Sequence, residues 1–181
     1  MNKDESIIES IVNPGNYDRY RRCIIEDGVL YCYGGEEKNI KIPNGTHRIA
    51  NSVFTREGLN SVVFPKSLTI INDRAFANNH LTKVEFPSSL SYIGMRSFSH
   101  NELTKLTFNQ DIIVDCDAFD DNPIHTIRLT KNARSIDWKS KECLDTVRIL
   151  EIASYKEHIV FYNLCPNIEL LYVDNLPGIS L

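Results

Sequence analysis

The chain has 181 residues, 42% of them apolar and 24% charged, which is enough for one folded domain. Its formal charge of −4 gives no reason to expect nucleic acid, whose phosphates need a basic surface to offset them. No run approaches the ~18–20 apolar residues that cross a bilayer.

Residues 4–12 read as a short helix stopped by Asn13-Pro14-Gly15, and 1–22 as a helical or irregular lead-in. Residues 23–36 read as a β-hairpin cap: two β-rich runs flank Asp27-Gly28, a strong type I′ turn signal. A two-residue turn there sets Cys23 opposite Cys32, at a non-hydrogen-bonded pair where Cα atoms approach to ~4.5 Å. A disulfide is one reading and two small apolar residues packing on the first coil is the other. The five cysteines are widely spaced and lack a CxxC, which favours a reducing compartment.

From residue 37 to 181 the chain repeats itself. After a partial copy, Ile40-Lys41-Ile42-Pro43, full copies begin at Leu59, Leu81, Leu103, Ile124, Leu144 and Ile168. Each has apolar residues at its first, fourth and sixth places, as in Leu81-Thr82-Lys83-Val84-Glu85-Phe86-Pro87. The alternation at places four to six predicts a short strand, and the following Pro suits a strand end. The second half repeats as Ile49 to Phe54, Ile71 to Phe76, Ile93 to Phe98 and Val114 to Phe119. It is expected to form a short helical turn. Asn79, Asn101 and Asn122 precede the next copy by two residues and are expected to take the left-handed reversal.

One unit cannot bury its own Leu, Val and Phe, so the units must stack as a solenoid. The predicted columns are Ile42, Phe64, Phe86, Phe108, Leu129, Ile149 and Val173, and Phe54, Phe76, Phe98 and Phe119 with Trp138 next. Ala153 to Leu164 is expected to be a helix, and 166–181 one more strand and an irregular C-terminal cap.

The repeating pattern LxxVxFPxSLxxIxxxAFxxN resembles the BspA-type leucine-rich repeats, also described as the Treponema pallidum class. The likeness runs over residues 23–150, and Glu26 to Gly35 resembles the hairpin that opens such arrays. The resemblance implies an α/β, right-handed, horseshoe-like solenoid with a parallel sheet on the concave face and short helical turns on the convex side. It also implies a role in binding partners, at cell surfaces and in host adhesion for secreted members. The start Met1-Asn2-Lys3-Asp4-Glu5 lacks a secretory leader, so the chain as written reads as cytoplasmic. An extracellular or surface place is the expectation if the natural chain starts earlier.

No catalytic motif is present, no cofactor is implied and no enzyme is expected. The five histidines fall in different columns, and Asp115, Asp117, Asp120 and Asp121 lack the spacing of a Ca²⁺ loop, so no metal is expected. The expected site is the concave face. The exposed places three and five of the strands bring together Lys41, Lys83, Glu85, Lys105, Thr107, Arg128, Arg148 and Tyr172. Five of these are basic and one is acidic on an acidic protein, which suggests a protein partner with an acidic surface, or a sulfated or carboxylated glycan.

Overall fold

The computed structural model describes residues 24–130, 132–133, 135–138, 146–153, 160–162 and 169–174. The expected helix at 4–12, residue Cys23 and the tail beyond 174 lie outside them.

The chain opens with β1 (Ile24–Glu26) and β2 (Val29–Cys32), an antiparallel hairpin. Asp27 and Gly28 both take positive φ, 48° and 72°, as a type I′ turn demands. A bulge then shifts the register, so that Ile25 faces Leu30 but Ile24 faces Cys32. Tyr31 is the extra residue. The bulge overturns the expected pairing, because Cys32 is opposite Ile24 rather than Cys23.

Coils follow, most of them with two strands. The first strands are β3 (Asn39–Lys41), β5 (Ser61–Val63), β8 (Lys105–Phe108), β10 (Thr126–Leu129), β12 (Ile149–Ala153) and β14 (Leu170–Asp174). The second strands are β4 (Arg48–Ile49), β6 (Ile70–Ile71), β7 (Tyr92–Ile93), β9 (Ile112–Val114), β11 (Ser135–Trp138) and β13 (Val160–Tyr162). Coils one to seven are counted from β3, and coil three enters at Leu81 without a regular first strand. The second strands make one continuous sheet, β1-β2-β4-β6-β7-β9-β11-β13, parallel throughout except for β1. The first strands make two sheets, β3-β5 and β14-β12-β10-β8, separated at coil three.

Among the described residues there is no α-helix. The expected convex helical turns, and with them the α/β class, give way to an all-β solenoid. The reason lies in the backbone donors. In coil two the amides of Arg74, Phe76 and Asn78 reach the carbonyls of Met95, Ser97 and Ser99 in coil three at 2.9, 2.7 and 2.9 Å. Ser52, Phe54 and Arg56 do the same toward coil two, and Arg96, Phe98 and His100 toward coil four. Amides spent on the neighbouring coil are lost to a helix. Alternate left-handed residues aim them there: Ser52, Arg74, Arg96 and Asp117 in one column, Arg56, Asn78, His100 and Asp121 in another, all with φ between 52° and 63°. The helix expected over 153–164 is also overturned, since β12 runs to Ala153 and β13 occupies Val160–Tyr162.

The core is the stack of columns. Leu59, Leu81, Leu103, Ile124 and Val147 are buried at the first place of each unit. Phe54, Phe76, Phe98 and Phe119 stack with ring centroids 4.9, 5.2 and 5.4 Å apart. Phe64, Phe86 and Phe108 stack at 6.2 and 5.6 Å and meet the first column edge-on. Trp138 does not extend the first column; it is in register with Val114, in the aliphatic column that includes Ile93.

The asparagines are buried rather than left-handed, the positive φ falling on the residue before each one. Asn101 Nδ2 donates to the carbonyls of Phe98 in its own coil (3.0 Å) and Phe76 in the previous one (2.9 Å), while its Oδ1 accepts from Leu81 N–H (3.0 Å). Asn79 and Asn122 repeat this pattern one coil away on either side. A buried backbone group left without a partner costs ~1–3 kcal/mol, so this ladder is what lets the chain reverse inside the core.

Candidate interaction surface

First strands alternate, with places four and six inward and place five outward; place three is exposed at Asn39, Ser61 and Lys83 but buried at Thr126. Lys41 pairs in register with Val63, and both are exposed. Glu85 is exposed at the same place of coil three. Further along, Thr107, Arg128, Glu151 and Tyr172 are in register.

That register moves one expected site residue. Thr126 is opposite Ile149 and Leu129 opposite Ile152, so the sixth unit starts at Val147 and not at Leu144. Val147, Leu150 and Ile152 are its buried places one, four and six, and Ile152 replaces Ile149 in the phenylalanine-led column. Arg148 therefore precedes the strand, where its Nε lies 3.4 Å from Glu169. Place five belongs to Glu151, a residue the sequence reading did not select.

Glu151 changes the electrostatics. Its Oε2 lies 2.8 Å from Lys105 Nζ and 3.6 Å from Arg128 Nη1, so one half-buried carboxylate holds two cations from neighbouring coils. Lys83 Nζ lies 2.6 Å from Glu85 Oε1, and that hydrogen bond, followed by the lysine charge, lowers the Glu85 pKa. The face is thus a set of local ion pairs with Lys41 beyond them, milder than a basic strip. Val63, 56% exposed, is its most open apolar side chain among the described residues.

The acidic residues of coil four turn back on coil three. Asp115 accepts from Tyr92 Oη at 2.7 Å, Asp117 from Arg96 at 3.4 Å, and Asp121 lies 3.2 Å from His100. Hydrogen bonding to Asp115, then burial, pushes the Tyr92 phenol up to about 12. Burial, then Asp115, raises the Cys116 thiol. Among the described residues no three His, Cys, Asp or Glu gather as a metal would need.

The sequence model for the BspA type Leucine rich repeat region matches residues 25–142, in six copies. The chain belongs to that family. The BspA-type coils also have a structural likeness. The crystal structure of the pneumococcal vaccine antigen PcpA superposes with a TM-score of 0.65 at 18% identity, over 82% of this chain. The match spans 40% of the PcpA chain, so this BspA-type array corresponds to part of a longer protein, and the likeness is one of fold. No curated protein matches the chain.

Proposed function

We propose that the chain is a protein-interaction module that binds through the outward side chains of its first strands. The observation that carries this is the display itself. Lys41, Val63, Glu85, Thr107, Arg128, Glu151 and Tyr172 occupy one place on successive coils of a stacked array, an extended surface of the kind solenoids offer to partners. The proposed site comprises Lys41, Lys83, Glu85, Lys105, Thr107, Arg128 and Tyr172 with Glu151 added. Arg148 stands at its edge. Cations outnumber carboxylates there, which favours a partner with a moderately acidic surface. Titratable groups that pair with one another across coils support binding rather than catalysis.

An adhesin-like, glycan-binding role is the second reading, favoured by the same cations. The compartment we propose is the cytoplasm, on the spacing of the cysteines.

The test is affinity capture from the native host with wild-type chain and with Lys41→Glu/Lys83→Glu, identified by mass spectrometry, beside a sulfated-glycan array. The substitutions leave Glu151 and its cations intact, so the melting temperature should hold. A protein lost with the variant supports the proposal. A sulfated glycan lost with it moves the reading to the second role, and an identical captured set removes this face.

A further inference from the structure

Glu151 belongs to coil six, yet its carboxylate gathers cations from two other coils. Its Oε2 lies 2.8 Å from Lys105 Nζ of coil four and 3.6 Å from Arg128 Nη1 of coil five. Lys105 thus reaches past coil five to meet it. The Lys83–Glu85 pair of the same face is different, because both partners come from one segment. The Glu151 side chain is 29% exposed against 80% for Glu85, so the first cluster is built into the surface and the second stands out in water.

The cluster is not saturated. At 3.6 Å Arg128 is an ion-pair partner of Glu151 but too far away to hydrogen-bond, so its planar fork keeps its donors. Thr107 stands in register beside Arg128, half-buried, and its hydroxyl has no partner among the described residues. Two positive charges, one of them with free donors, and a free hydroxyl therefore surround a single negative charge. Arginine forks match carboxylates in shape as well as in sign, and this group has donors left for a second one.

We propose that Lys105, Thr107 and Arg128 form a binding site for an aspartate or glutamate side chain of an acidic peptide segment, and that Glu151 is its built-in competitor. The proposal rests on the first strands being the binding surface and names what the middle of that surface takes. The resident group indicates the chemistry of the visitor, since what these cations already hold is a carboxylate. A visiting carboxylate takes the fork of Arg128 and the Thr107 hydroxyl, and draws Lys105 back from Glu151. One charge pair is exchanged for another of its kind, so binding at this site is weak and reversible, and Glu151 sets its threshold. The sign of one substitution separates a competitor from a brace. Removing a brace loosens the site and weakens binding, whereas removing a competitor strengthens it. Glu151→Gln keeps the shape and an acceptor for Lys105 and removes the charge.

The test is fluorescence anisotropy of a fluorescein-labelled oligoglutamate peptide titrated with the full chain at neutral pH and low salt. Glu151→Gln should tighten binding about two- to fivefold, the size of one part-exposed charge interaction, and leave the melting temperature in place. Arg128→Gln should weaken binding by at least as much. Thr107→Val alters no charge and should weaken it too, which net charge alone does not explain. Glu85→Gln removes the same charge from the exposed pair and should gain less than Glu151→Gln. Binding left unchanged or weakened by Glu151→Gln, an equal gain from Glu85→Gln, a Thr107→Val variant that binds like wild type, or no peptide binding by any of these chains would each overturn the proposal. The wider first-strand reading is decided separately, by the capture experiment with the natural partner.

Discussion

Asn101→Ala tests the account of the core most directly. The side chain makes its hydrogen bonds from a position 6% exposed. The carbonyl of Phe76 keeps a second donor in Asn79 (2.9 Å), and that of Phe98 keeps one in Asn122 (2.8 Å). Only Leu81 N–H, whose acceptor is Asn101 Oδ1, is orphaned outright. An orphaned buried donor costs ~1–3 kcal/mol and each of two further lost bonds ~0.5–1.5 kcal/mol, for a total of roughly 4 kcal/mol. For a chain of this size that lowers the melting temperature by about 8–16 °C. Urea unfolding followed by circular dichroism reads the loss. Asn101→Asp keeps the acceptor for Leu81 N–H but turns the donor into an oxygen facing two carbonyls. It should be worse than Ala at neutral pH and recover partly once the carboxyl is protonated. A loss below about 1 kcal/mol for Ala, or an Asp variant at least as stable as Ala, would refute the reasoning.

Gly94→Ala should cost about 1–3 kcal/mol, because its β-carbon would stand 2.6 Å from Asp73 Oδ1 and 2.8 Å from the backbone of Asn72 and Asp73, forcing coils two and three apart; thermal unfolding checks it. Hydrogen exchange should be faster at Val84, Glu85 and Phe86, in the gap between the first-strand sheets, than at Leu106, Thr107 and Ile127, which lie in regular strands. Tyr92, raised to about 12 from an ordinary value of 10.0, binds its proton more tightly folded than unfolded. The stability it lends is complete below pH 10 and lost as pH rises toward 12. The stability gap between wild type and Tyr92→Phe, measured by urea titration, should therefore shrink across that range.

Much of the solenoid was legible because burial repeats. Leu59, Leu81 and Leu103 recur at one spacing, and a lone coil has nowhere else to put them. The sixth unit was misread for a reason inside the pattern. A shift of three puts place one on place four, and the chain is apolar at 144, 147, 149, 150 and 152, so Leu144-Val147-Ile149 and Val147-Leu150-Ile152 both satisfy the one-four-six pattern. Pairing with β10 decides between them, and pairing is a property of two segments. The same slip hid Glu151 and promoted Arg148. The helical turns were misread because the buried Ile71 and Ala75 are four apart, a spacing that suits one face of a helix as well as successive tight turns. What decides is the left-handed backbone at Arg74 and Arg96, residue types that do not announce it. The bulge at Tyr31 left no local signal either.

The asparagine contacts also bear on how such a gene can change length. Asn79, Asn101 and Asn122 each reach back to a carbonyl 24 or 25 residues earlier and to an amide 19 or 20 residues earlier. Excising or duplicating one whole period hands every such contact to an equivalent neighbour, so the copy number can drift without stranding a polar group. A cut of half a period leaves a bare amide in the hydrophobic interior. Recombination in register is thus tolerated and recombination out of register is purged, which keeps the periods nearly equal while their outward residues diverge.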